Sequence, residues 1–307
     1  MKNNKGQIRA GWLILLALVA MLVAQQIFSL PGAMLLFLYE LPALTSSVEI
    51  DILQAYDGHP WLYVLTQGGA VVGSIVVTYI FWRFVNKGSL RSLGFRWSFA
   101  DFAYGLFLGA ASITVIFLLL LVTGNVSMDN SFGAPAFSAY TVAFLVMYIL
   151  VGLSEEMFFR GYVMSTMQSR GNPKWAVYLV SAVVFSLAHG LNPNVSWLGL
   201  LNIVFVGVLF AYMFLETDSL WLPIGYHMTW NYFQGNVFGF AVSGTTPNGI
   251  YNVSIEGGNA WLTGGAFGLE GGLAATLLIL IGFAATWVYG RKKRMSARPA
   301  VRMESVL

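Results

Sequence analysis

Three stretches of this chain carry residues whose types and spacing could do chemistry. GLSEEMFFRG, 152–161, holds two adjacent carboxylates, Glu155 and Glu156, with Arg160 four residues beyond the second. FSLAH, 185–189, ends in His189, and HMTWN, 227–231, places His227 and Asn231 four apart. On a helix, residues four apart share a face, so Glu156 and Arg160 make one pair and His227 and Asn231 another. Glu155 lies about 100° around the helix from Glu156 and cannot face Arg160 equally well. A division of labour is expected: Arg160 pairs with Glu156, and Glu155 faces a cavity as a general base.

The surroundings make these groups conspicuous. The chain is 57% hydrophobic and 9% charged, with a mean hydropathy of +0.71. Soluble domains carry roughly 25% charged residues, so this is the composition of a polytopic membrane protein. An ionisable group within a span costs about 2.5–3.5 kcal/mol on insertion scales and is a functional hypothesis by default. The blander readings are a stitching ion pair for Glu156 and Arg160, a packing histidine for His189, and relief of backbone groups freed by Pro223 for His227 and Asn231. An unpaired buried Glu155 fits none of them, because such a group is costly unless something uses it. Cysteine is absent, which excludes disulfides, thiolate zinc sites and a cysteine nucleophile. A net charge of +3 gives no reason to expect nucleic acid.

The expected fold class is all-α: a transmembrane helical bundle of about eight spans, near 12–38, 61–85, 101–123, 136–164, 174–190, 197–215, 219–242 and 270–290. The apolar run of the first continues past any small-residue cleavage site, so it is read as a retained helix and not a signal peptide. With the N-terminus in the cytoplasm, all 16 lysines and arginines fall on the inner side, from Lys2, Lys5 and Arg9 to Arg298 and Arg302. The outer loops carry Glu40, Glu49, Asp51, Asp57, Asp129, Glu256 and Glu270, while one inner turn, Glu216 to Asp218, is acidic against the trend. Both termini are therefore expected in the cytoplasm. Three regions follow: two N-terminal spans with a basic loop (1–100), a catalytic membrane core (101–290) and a basic tail (291–307). The segment 243–272, rich in Gly, Asn and Thr, is an irregular loop. Gly105 and Gly109 form a GxxxG pattern that marks close helix packing.

Chain geometry tests whether the groups meet. Glu155 is 17 residues before Asn172 and His189 is 17 after it, and RGNPK at 170–174 has the residues of a tight turn, so an antiparallel hairpin brings the two side by side. His227 lies four residues past Pro223, near the inner start of its helix. A common site then requires either that the hairpin project into the cytoplasm or that the chain after His189, GLNPN, break at depth. A water-filled cavity opening toward the cytoplasmic half is expected, since irregular backbone at depth needs one.

The three motifs, in this order, fit EExxxR, FxxxH and HxxxN, and the chain from about residue 90 onward resembles the CPBP family of CAAX-protease and bacteriocin-processing intramembrane proteases, which includes the Rce1-type enzymes. The resemblance implies hydrolysis of a peptide bond of a membrane-associated or lipidated peptide. It implies that Glu155 with His189 activates water, that Glu156 with Arg160 holds the pair, and that His227 with Asn231 forms the oxyanion hole. A prenylated or membrane-anchored peptide and the lipid bilayer are the partners it implies, in the plasma membrane of a prokaryote. Glu155, His189 and His227 would be the ligands if a divalent metal such as zinc is bound; the chain has no HExxH, and a metal-free glutamate mechanism needs only the same residues. Two other classes stay open: a non-catalytic scaffold or immunity protein of the same fold, and a proton-coupled transporter. No repeated halves support the transporter.

Overall fold

The computed structural model describes residues 6–44, 59–256 and 259–297. Lys2, Lys5, Glu49, Asp51, Asp57, Arg298 and Arg302 of the charge pattern lie outside the described residues. Eight main helices follow one another: α1 Ala10–Leu44, α2 Pro60–Val85, α3 Phe99–Val122, α4 Ala139–Ser169, α5 Lys174–Ala188, α6 Trp197–Thr217, α7 Trp221–Tyr232 with a π-helical extension Phe233–Val237, and α8 Leu273–Ala297. Six of them (α1 to α4, α6 and α8) are long and apolar enough to cross a membrane. The expectation of about eight full spans is corrected at α5 and α7, which have 15 and 12 residues. At 1.5 Å per residue α5 is only about 22 Å long, short of the roughly 30 Å of hydrocarbon in a bilayer. The molecule is nonetheless a helical membrane bundle. Its outward faces are apolar, as in α1, where Leu15, Leu16, Val19, Leu22 and Val23 are all exposed.

Local sequence sets the ends of the helices that carry the site. The turn before α5 has Gly171 at φ +79°, where a side chain would be strained, and the Asn172 amide donates to the Met167 carbonyl at 2.9 Å. Pro173 then precedes Lys174, so α5 starts where the sequence predicts. It stops at Ala188, and His189 caps it with its backbone N–H on the Ser186 and Leu187 carbonyls. Ser196 opens α6 by accepting from the Gly199 N–H at 3.0 Å.

Glycines fix α7 between its neighbours. A Cβ at Gly105 or Gly109 of α3 would run into the Leu222 or Tyr226 carbonyl oxygen, and one at Gly152 of α4 would meet Met228 at 2.9 Å. The GxxxG pattern thus marks a close backbone approach, and it is this approach that sets the depth and rotation of His227.

At the basic end, the acidic exceptions are explained by pairing. Asp218 meets Arg96, Glu216 meets Arg294, and the fully buried Asp101 binds Lys293 at 2.7 Å. At the opposite end, among the described residues, β1 Val126–Met128 and β2 Val253–Ile255 form a two-stranded antiparallel ribbon with Val126 opposite Ile255. It ties the loop after α3 to the long irregular segment before α8.

Candidate active site

The carboxylate pair sits where α4 changes its winding. The α-helical part ends at Glu155, and Glu156–Val163 is π-helical with all eight residues buried. Wide π turns inside α-helices recur at functional sites, because the extra residue redirects side chains. Glu156 and Arg160 are both 0% exposed. The Arg160 Nη1 donates to Glu156 Oε1 at 3.0 Å, and its Nη2 donates to the Gly207 carbonyl at 3.4 Å. The guanidinium also lies 4.2 Å from the Phe185 ring centroid and 5.1 Å from that of Phe210. Desolvated cation–π contacts of this kind offset part of the cost of burying an arginine. The expected pair is present, and Phe185, one turn before His189, helps to hold it.

His227 lies against both glutamates. Its Nδ1 is 3.0 Å from Glu156 Oε1 and its Nε2 is 3.8 Å from Glu155 Oε2, so the ring stands between the two carboxylates. Arg160 and His227 therefore share one oxygen of Glu156. A carboxylate accepts, so Nδ1 carries the hydrogen and Nε2 is turned toward Glu155. The 3.8 Å gap is too long for a hydrogen bond. Glu155 Oε2 and Glu156 Oε2 are both buried without a hydrogen-bond partner. Asn231, one turn beyond His227 on α7, is also buried.

His189 reaches the same place from α5. Its Nδ1 is 2.9 Å from the Phe185 carbonyl oxygen, which fixes the ring and leaves Nε2 free of the helix. Glu155, His189, His227 and Asn231 together line one cavity of about 230 Å³, large enough for several waters. The antiparallel hairpin of α4 and α5 thus meets α7, and of the two routes to a common site the chain takes the second: it leaves helix at His189, level with the glutamates. A further cavity of about 230 Å³ meets Glu155 and His189 from the side of α1 and α2, where Gln25 and Ser74 line it.

The direction of opening is corrected. The rest of the main cavity is walled by Asn192 and Pro193 after α5, by Ser243 and Thr245, and by Glu270. All five come from segments at the end opposite the basic loops. The irregular 189–196 stretch and the segment before α8 fold inward over the site, so the cavity runs away from the expected cytoplasmic half. Glu270, Ser243 and their partner Gln234 are site residues that sequence reasoning missed. The only sequence signal was a carboxylate in a glycine-rich loop.

A metal was one expectation, with Glu155, His189 and His227 as ligands. Among the described residues no group of three His, Asp or Glu side chains is arranged to hold an ion. Nδ1 of His189 faces a backbone carbonyl and Nδ1 of His227 faces Glu156, which leaves Nε2 of each ring, with Glu155, as the atoms that would hold such an ion.

Comparison with known proteins agrees with the motifs. Residues 137–233 match the family model described as "Type II CAAX prenyl endopeptidase Rce1-like". The chain is 24% identical over 169 residues to the "Putative membrane peptidase YdiL" of Bacillus subtilis (strain 168), covering 53% of this chain and 66% of that protein, just under two thirds. It is 25% identical over 191 residues to an "Uncharacterized 24.3 kDa protein" of Escherichia coli, covering 59% of this chain and 82% of the other. No solved structure matches. The matched segment contains all six expected site residues. From α4 to the start of the π turn after α7, this membrane protein is similar to the Rce1-like, CAAX-type peptidases.

Proposed function

We propose that the chain is an intramembrane endopeptidase that hydrolyses a peptide bond of a membrane-associated peptide, with Glu155 as general base. Water enters the cavity that Glu155 and His227 line and meets the exposed part of the Glu155 carboxylate. Glu155 takes its proton while the oxygen attacks the scissile carbonyl, and the same proton then passes to the leaving amine as the C–N bond breaks. Positioned proton transfer of this kind contributes about 10²–10⁴-fold. Glu156 fixes the orientation of His227, and Arg160 fixes Glu156. His189 is aimed at the same water from α5. The Asn231 amide donates to the oxyanion, a role typically supplying on the order of 3–4 kcal/mol of barrier reduction.

The observation that carries this reading is the bridging imidazole: one nitrogen on a fully buried glutamate, the other facing the glutamate that lines the cavity. Membrane-anchored and lipid-modified peptides, prenylated ones included, are the substrate class. The test is Glu155→Gln, which keeps shape and removes the base. Peptide mass spectrometry of membranes from cells carrying wild-type or variant protein at equal abundance should show products that vanish with the variant. Identical peptide profiles would reject Glu155 as the base.

A further inference from the structure

The far end of the main cavity holds a carboxylate that the hydrolysis does not use. Glu270 belongs to the glycine-rich segment just before α8 and lines the cavity together with Ser243. Its Oε1 accepts from the Ser243 N–H at 3.1 Å and from the Ser243 hydroxyl at 3.3 Å, and its Oε2 accepts from the Gln234 amide. The loop itself is pinned, since the Asn202 amide donates to the carbonyls of Glu270 and Gly272 at 2.8 and 3.0 Å. Gln234 is 0% exposed. Both of its amide hydrogens are engaged, by Glu270 and by the Ala241 carbonyl at 2.6 Å, which fixes the orientation of the amide. Its Oε1 is buried without a partner.

This end of the cavity therefore presents a carboxylate whose partners are all neutral. Among the described residues no lysine, arginine or histidine makes an ion pair with Glu270; the ion pairs of the basic end all lie at the other side of the molecule. Burial pushes the Glu270 carboxyl above the usual carboxylate range, and the hydrogen bonds from Gln234 and Ser243 pull it back only in part. Carboxylates deprived of water are normally paired. A carboxylate held in place by neutral donors in the wall of a cavity is an arrangement that a cation from outside the chain completes.

We infer that the Glu270 end of the cavity is a subsite for a cationic group of the bound peptide, the ammonium of a lysine side chain or of a free amino terminus. The inference rests on the cavity being a peptide site, as proposed above. Glu270, with Gln234 and Ser243, selects substrates by charge and positions them, while Glu155 carries the chemistry.

The test measures binding and not cleavage. Full-length protein carrying Glu155→Gln, purified in detergent, is titrated into three fluorescent alanine-based pentapeptides: one end-blocked with a central lysine, one end-blocked with a central norleucine, and one with a free amino terminus. Fluorescence anisotropy should show one of the two cationic peptides binding at least about tenfold more tightly than the norleucine peptide, the least that a buried charge pair is expected to add. Which of the two wins identifies the source of the charge. Adding Glu270→Gln should erase the difference. Equal binding of all three peptides, or a preference that survives Glu270→Gln, overturns the inference. The comparison of peptides needs no change at Glu270, so a misfolded variant cannot hide the answer. Failure here leaves the assignment of Glu155 untouched, because that assignment is read from cleavage.

Discussion

Two buried carboxylate clusters in this molecule have opposite bookkeeping. Asp101, fully buried at the basic end, has both oxygens occupied: Oδ1 accepts from Tyr289 at 2.7 Å and from Lys293 at 2.9 Å, and Oδ2 accepts from Lys293 at 2.7 Å. The glutamates of α4 crowd Arg160 and His227 onto Glu156 Oε1 and leave an oxygen of each carboxylate buried and unpartnered. Both clusters would look alike in a tally of ion pairs. The first is closed and lies away from the cavity; the second is incomplete and lines it. Buried polar groups in folded proteins are almost always satisfied, so the exception is where a function is to be sought.

The contrast can be broken by substitution, and the two clusters should fail in different ways. The largest effect is expected at Glu155→Gln, a loss of about 10²–10⁴-fold in cleavage rate with the thermal unfolding midpoint in detergent unchanged. Arg160→Met should act on stability instead. It strands Glu156 without its cation, a change that typically costs about 3–5 kcal/mol, and it should lower the unfolding midpoint sharply and abolish activity with it. For Asn231→Ala the expected loss is about 10²–10³-fold in kcat at near-constant stability, read from steady-state cleavage of a membrane peptide. The smallest effect belongs to the closed cluster. With the Lys293 side chain 39% exposed, Asp101→Asn should cost only about 1 kcal/mol, with the cleavage rate per folded molecule unaltered. A rate loss at Asp101→Asn comparable to that at Glu155→Gln would erase the distinction.

The chemistry was more legible than its surroundings. Charged and histidine side chains in apolar helices are costly enough that their positions draw the eye, and Glu155, His189, His227 and Asn231 do line one cavity, with Glu156 and Arg160 buried behind them. The hairpin turn at 170–174 was legible for a related reason: Gly, Asn and Pro each impose a backbone geometry. Spacing along one helix says which face a residue occupies, but not what meets it from another helix. That is why the contacts of His227 with the two glutamates of α4 could not be read from its spacing with Asn231. Hydropathy could not show that α5 stops at Ala188, because the apolar run continues to the histidine with no breaker before Gly190. Nor could it show which way the cavity opens, since that depends on how 189–196 and the segment before α8 fold back. Glu270 was hidden in the same way: in sequence it is one more acidic residue of an outer loop.

The π-helical winding of Glu156–Val163 has a consequence for how this region tolerates change in length. A turn that already carries a spare residue can shed one and close as ordinary α-helix, with every amide still paired. What would not survive is aim inside the turn: the helix beyond Val163 would keep its direction, but the guanidinium at position 160 would stand three residues past Glu156 instead of four and would lose its alignment with that carboxylate. Removing Phe158 alone should therefore lower the unfolding midpoint in detergent as Arg160→Met does, while the helix itself stays continuous.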